Sequence, residues 1–405
     1  MHKQSKYTKH TKHTKHTKHI LLNNSQQHGG HVLGEGGFGC VLYPSIKCPN
    51  IKTNPTTVSK IIANYSHASI KQELANYNMI HKLDPEMQYF VTHIGSCYIN
   101  KIQNRPDIEK VEYYNEEDYK TLETKHSLKK KDKIRCPIDE SLNSANILMP
   151  YGGIELDNIL KYDDKNTEHT HALYKQINTI LINDIKHNLK KMLIGLKLLH
   201  DNKFAHRDIK PENIVCLLNA NGTSINMRYI DFGLSLKITK DIDYISISGS
   251  TEFTAPEIII SYYIESYYST FRSKDYIMSK IFEEYWDTDD KTNKYIDIMK
   301  HNKLYQNITN YKKNFASLYK RIIYIYDNDT FLKKYYKWHN VHNSFIMKSD
   351  IYSLGMTFIT ICVEYNKLNL KLHDPLLYDL LMKMIEFFPD KRINVNQCLE
   401  HAYFN

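Results

Sequence analysis

His206-Arg207-Asp208-Ile209-Lys210-Pro211-Glu212-Asn213 is the most specific stretch of this 405-residue sequence. It follows directly on IKHNLKKMLIGLKLLHDNK (185–203), where Leu189, Met192, Leu193, Leu196 and Leu199 fall on one helical face and Lys or Asn on the other, an amphipathic helix. Downstream lie Asp231-Phe232-Gly233 and then Ala255-Pro256-Glu257. Upstream, Gly34-Glu35-Gly36-Gly37-Phe38-Gly39-Cys40-Val41 is a glycine turn between two strands, where missing side chains let backbone N–H groups approach anionic oxygens. Lys60 follows on a short strand, VSKIIA (58–63). Singly, the glycine turn and the two tripeptides are weak signals. A strand after the turn, where a helix would be needed, disfavours a dinucleotide-binding unit. Five patterns in one order leave coincidence negligible.

On these residues the sequence resembles the eukaryotic-type protein-kinase superfamily, whose catalytic loop reads H-R-D-L-x-x-x-N, with Ile209 a conservative departure. The resemblance covers residues 31 to about 403 and implies an α+β, two-lobed fold: a small antiparallel-β N-lobe with one helix and a larger, mostly helical C-lobe. By the same resemblance ATP and Mg²⁺ are the cofactors, and protein Ser/Thr hydroxyls the acceptors. Asp208 would take or orient the proton of the attacking hydroxyl, Lys210 would offset the charge of the transferred γ-phosphoryl, and Asn213 and Asp231 would hold the metal. Leu33 and the turn from Gly34 to Val41 would cover the phosphates, Lys60 would grip them, and the segment around Met149 and Tyr151 would be the hinge facing adenine. Pro150, in that hinge, has no N–H to offer.

An ammonium left unpaired on a buried strand is costly, so Lys60 needs a carboxylate. Glu73 is the nearest in the helix that follows, SIKQELANYNMIHKL (69–83); a solvent-facing Glu on an ordinary helix is the other reading. Ser349-Asp350-Ile351 resembles the start of a buried helix whose Asp braces the catalytic loop, and Arg392 resembles the arginine that pairs with the glutamate of A-P-E, here Glu257. Lys210, two positions after Asp208, favours Ser/Thr over Tyr acceptors. Arg207 suits docking of a phosphorylated activation loop, with Ser246, Ser248 and Thr251 as candidate sites. A scaffold that keeps the fold without catalysis is the alternative, and Lys60, Asp208, Asn213 and Asp231, all retained, speak against it.

Composition fits one catalytic domain behind a tail. Lys plus Arg number 54 against 45 Asp plus Glu, a net charge of +9, and two-thirds of it sits on six lysines in residues 1–19, where Thr-Lys-His repeats four times. Residues 1–30 read as a solvated basic tail, and no specific nucleic-acid binding is expected. The domain reads as 31–403, divided near 152 into an N-lobe carrying a charged insertion (101–140) and a C-lobe carrying a large one (about 261–345). Strands are expected at 90–99 and 146–153, a helix buried all round at 351–364, and closing helices at 376–388 and 392–402. No apolar run suggests a transmembrane segment or secretory signal. Seven cysteines without a C-x-x-C pair suggest free thiols and an intracellular setting. The Tyr, Lys, Asn and Ile bias, long insertions and repeated tail are similar to kinases of giant amoeba-infecting DNA viruses, which implies a host cytoplasm or a virion.

Overall fold

The computed structural model describes residues 31–36, 39–62, 67–99, 144–161, 168–238, 253–259, 331–366 and 368–405. The tail, the insertion at 101–140, most of that at 261–345, Gly37, Phe38, and the candidate phosphosites Ser246, Ser248 and Thr251 lie outside the described residues. The chain divides into two units. One draws its described residues from Met1–Leu74, Thr92–Tyr151 and Asn219–Gly222, the other from Ala75–Val91, Gly152–Leu218 and Thr223–Asn405.

In the first unit β1 (His31–Gly36), β2 (Gly39–Tyr43), β3 (Thr57–Ile62), β4 (Gly95–Ile99) and β5 (Ser144–Pro150) form one antiparallel sheet in the order β1-β2-β3-β5-β4. β3 is apolar at Val58, Ile61 and Ile62, all buried, and its β-branched residues suit a strand flanked on both sides. That places Lys60 in the middle of the sheet, opposite Val41 on β2 and Ile147 on β5. Helix α1 (His67–Leu83) follows, its first turns in this unit and the rest in the other. The strand expected at 90–99 is shorter. Asp84 accepts the N–H groups of Gln88, Tyr89 and Phe90 at 3.0, 2.7 and 3.1 Å, which bends the backbone there, and pairing with β5 starts only at Gly95.

The expectation of free thiols throughout is corrected. Cys48 and Cys97 are joined by a disulfide and Cys40 is disulfide-bonded as well, whereas Cys216, Cys362 and Cys398 are free and buried. The fold brings the Cα atoms of Cys48 and Cys97 to 5.7 Å, within bridging range, although 49 positions separate them in sequence.

The second unit is mainly helical, with α2 (Leu156–Leu160), α3 (Glu168–Asn183), α4 (Ile185–Asp201), α5 (Phe331–Ile359), α6 (Leu370–His373), α7 (Pro375–Met384) and α8 (Val395–Leu399). On α4 the five apolar residues named above are buried, as the amphipathic spacing requires. α5 starts well before the buried helix expected at 351–364 and gives way at Thr360–Tyr365 to a π-helical turn. Its window Phe345–Cys362 is apolar and long enough to cross a membrane, but 83% of it is buried inside the protein, as befits a core helix. The closing helices are shorter than expected. Asp374 caps α7 by accepting the Leu377 N–H, and Asn394 with Gln397 forms a capping box on α8.

Strands in this unit position the chemistry. β6 (Ile154–Glu155) pairs with β8 (Ile214–Leu218), which pairs in turn with β9 (Ile225–Tyr229), and the short β7 (Phe204–Ala205) leads into His206. Ile214 lies opposite Tyr229, so Asn213 and Ile230 stand side by side at the open end of the hairpin, with the Ile230 N–H on the Asn213 carbonyl at 3.0 Å. Gly152 and Gly153 pass close beside it. A Cβ on Gly153, whose φ is +119°, would lie 2.4 Å from the Cys216 carbonyl oxygen, so only glycine fits.

Candidate active site

The catalytic stretch is held from below by one buried carboxylate. Asp350, in the second half of α5, accepts the backbone N–H groups of His206 and Arg207 at 2.8 Å each and faces His200 Nε2 at 3.1 Å. Arg207 takes a left-handed φ of +70°, a conformation that costs energy for a side chain with a Cβ and is sustained by these bonds. Its Nη1 donates to the Leu234 carbonyl at 3.3 Å. His206 is fully buried. Burial drives its imidazole below the ordinary value, although Asp350, Asp208 and Asp231 act the other way. The Asp208 N–H reaches its Nδ1 at 3.3 Å and its Nε2 faces the Ile230 carbonyl at 3.1 Å, which assigns the proton of the neutral ring to Nε2.

Asp208, Lys210, Asn213 and Asp231 come together in this unit. Asn213 Nδ2 donates to the Asp208 carbonyl at 2.8 Å and to Asp208 Oδ2 at 2.6 Å, and Lys210 Nζ lies 3.3 Å from the same carboxylate. Burial pushes the Asp208 carboxyl up; Lys210 pulls it back down and Asp231 pushes it up again. Asp231 sits at φ +62° and accepts the Gly233 N–H at 3.3 Å. Phe232 is buried against Tyr77, Phe90 and His206, with ring centroids 5.7, 5.8 and 5.1 Å apart.

These residues fit a Mg²⁺ ion. Asn213 uses its amide nitrogen on Asp208, which leaves its carboxamide oxygen as the group to present; with the Asp231 carboxylate this makes a set of hard oxygen ligands. The Asp231 charge that acts on Asp208 is a repulsion a divalent cation would relieve.

In the first unit Lys60 Nζ lies 2.8 Å from Glu73 Oε1, and both side chains are largely buried. Leu33 is exposed, and Val41 stands opposite Lys60. Cys40, expected beside a nucleotide, has its side chain buried and in a disulfide. At the expected hinge Met149 is buried, and the Tyr151 N–H is taken by the Thr56 carbonyl at 2.8 Å, so with Pro150 lacking one, neither residue has a free backbone donor.

The pair expected between Arg392 and Glu257 is present and bidentate, at 2.6 and 3.0 Å. Three other features were not read from the sequence. Glu155 is pushed up to about 7 by burial and then by the carboxylates of Asp157 and Glu212. Ser235 Oγ donates to the His206 carbonyl at 3.1 Å. Asn76 holds the segment after Asp231, and its sequence signal was a carboxamide at helical spacing from Ile80 and Glu73.

Comparison with known proteins agrees with this geometry. The family model described as Protein kinase domain matches residues 143–404. Death-associated protein kinase 2 of Mus musculus is 44% identical over 71 residues, 18% of this chain and 19% of that protein. "Probable serine/threonine-protein kinase fnkE" of Dictyostelium discoideum is 29% identical over 144 residues, 32% of this chain and 11% of that protein. CTD kinase subunit alpha of Saccharomyces cerevisiae is 28% identical over 121 residues, 30% of this chain and 20% of that protein. The match thus spans no more than about a fifth of any of these relatives. The antiparallel sheet, the helical unit with its catalytic stretch, and a family match over more than half the chain together place this protein in the protein kinase domain family, with its two-lobed α+β fold.

Proposed function

We propose that this chain transfers the γ-phosphoryl group of ATP, with Mg²⁺, to Ser or Thr hydroxyls of protein substrates. The observation that carries the reading is the cluster in which Asp208 is held by Asn213 at 2.6 Å with Lys210 3.3 Å away. The Asp208 carboxylate, fixed by Asn213, accepts the proton of the substrate hydroxyl, and the Lys210 ammonium works against the upward push of burial on it. The Lys210 ammonium, 3.3 Å from that carboxylate, also offsets charge on the phosphoryl oxygens. When bound, Mg²⁺ supplies charge neutralisation at the phosphates, held by the Asn213 oxygen and Asp231. Lys60, oriented by Glu73, binds the α- and β-phosphates.

Ser/Thr acceptors are supported by Lys210 in its place after Asp208 and by the serine/threonine-protein kinase among the relatives. Incubation with labelled ATP, Mg²⁺ and generic protein substrates, followed by phosphoamino-acid analysis, is expected to yield phosphoserine and phosphothreonine. Label on tyrosine alone, or none in any substrate, would overturn the reading. Glu73→Gln is expected to raise the KM for ATP about tenfold, because the Lys60 ammonium loses the charge that aims it. An unchanged KM would show that Lys60 is positioned without Glu73.

A further inference from the structure

Asn76 occupies a place on α1 where a polar group needs a reason. Ile70, Tyr77 and Ile80 on the same helix are buried, and Asn76 is itself only 2% exposed. A carboxamide enclosed in this way is costly unless its polar atoms are bonded. Its Nδ2 donates to the Phe232 carbonyl at 2.9 Å and to the Ser235 carbonyl at 2.8 Å. One –NH₂ group therefore bridges the segment that follows Asp231. The same segment is tied on its other side by Ser235 Oγ to the His206 carbonyl, and internally by the Ser235 N–H to the Phe232 carbonyl at 3.2 Å. Asp231 itself holds a left-handed φ, which surrounding structure must impose.

We infer that Asn76 is a positioning residue for phosphotransfer: its amide group latches the backbone of Phe232–Ser235 and so sets the Asp231 carboxylate in the orientation that takes Mg²⁺. The inference rests on the function proposed above. Two carbonyls facing one nitrogen demand a donor, so the chemistry at position 76 is specific. Leu would fill the space without the bonds, and Asp, nearly isosteric, would set an acceptor against two acceptors. A residue that merely filled the core would tolerate Leu best and would leave the metal requirement alone.

The test compares wild type with Asn76→Leu, Asn76→Asp and Asn76→Ala in the full chain. The first readout is amide hydrogen exchange across 232–238 without metal or nucleotide, with exchange in α4 as the control for folding. Exchange is expected to quicken about tenfold or more in the variants while α4 is unchanged, in line with loss of buried hydrogen bonds. The second is the free Mg²⁺ concentration for half-maximal phosphotransfer, expected to rise about tenfold, most in Asn76→Asp, with the KM for ATP at saturating Mg²⁺ nearly unchanged. Unaltered exchange at 232–238, or an unaltered Mg²⁺ requirement with lowered kcat, overturns the inference. Failure of all three variants to fold also overturns it, since Asn76 would then be a structural core residue. A wild type without phosphotransfer would sink the kinase reading and the metal half of the inference with it, whereas the exchange comparison would still decide the latch.

Discussion

Asp208→Asn is expected to lower kcat about a thousandfold while leaving the KM for ATP within about twofold, because under the function proposed above it removes the proton acceptor and little else. The replacement is nearly isosteric. Asn213 keeps its bond to the backbone carbonyl of residue 208, and Asp350 keeps the two N–H groups ahead of it, so the loop retains its path. The charge that is lost is one the fold holds at a cost, since burial pushes the Asp208 carboxyl up and Asp231 adds to that. Removing it should therefore leave the melting temperature unchanged or slightly higher. Activity and stability then move in opposite directions, as they do where a site is kept strained for its chemistry. Steady-state kinetics with labelled ATP, paired with thermal melts, checks both halves. Retention of more than about a tenth of the wild-type kcat would remove Asp208 from the proton transfer.

Breaking the pair between Glu257 and Arg392 should have the largest effect on stability. Arg392 is 1% exposed and all five N–H groups of its guanidinium face oxygen: two on the Glu257 carboxylate and the rest on the carbonyls of Glu386, Lys348 and Phe387. It also lies 4.9 Å from the centre of the Tyr352 ring. Glu257→Ala strands a buried cation, at a cost of about 3–5 kcal/mol. Arg392→Lys keeps the charge but loses the planar fork, and about 2 kcal/mol is a fair expectation. Denaturant titrations of the two single variants and of Glu257→Leu with Arg392→Met would separate charge burial from packing. The double variant should be less destabilised than Glu257→Ala, because neither charge is left alone. A double variant as unstable as Glu257→Ala, or more so, would mean that the stranded charge is not what destabilises the single variant.

What could be read in advance was what depends on local order. Asp208, Lys210, Asn213 and Asp231 lie on short segments whose residue types announce their geometry, and α4 shows its core face because its other face is wet. The hairpin β8–β9 was not read because IVCLL is apolar throughout, with no alternation to mark it, and the alternation of INMRY runs over only five residues. The break in the strand at 90–99 arises because Asp84 holds the Phe90 N–H and the Val91 N–H goes to the Tyr229 carbonyl, while the ladder with β5 begins at Gly95. Cys48 and Cys97 meet only because β4 and the loop before β3 are brought together across the sheet, and nothing in their spacing says so. Asn76 escaped notice because helical periodicity weighs apolar residues, and a polar one inside the stripe looks like an error until its two carbonyl partners are known.

The brace at Asp350 also sets an order of events during synthesis. The backbone N–H groups it holds belong to residues 144 and 143 positions earlier in the chain. At about 5–20 residues per second, a ribosome needs on the order of ten seconds to travel that distance. Once Asp231 has been made, the nascent protein already contains Asp208, Lys210, Asn213 and Asp231, yet the carboxylate that takes the His206 and Arg207 N–H groups is still to come. On the function proposed above, the site therefore reaches its final geometry only when the part of α5 that carries Asp350 has been made and docked.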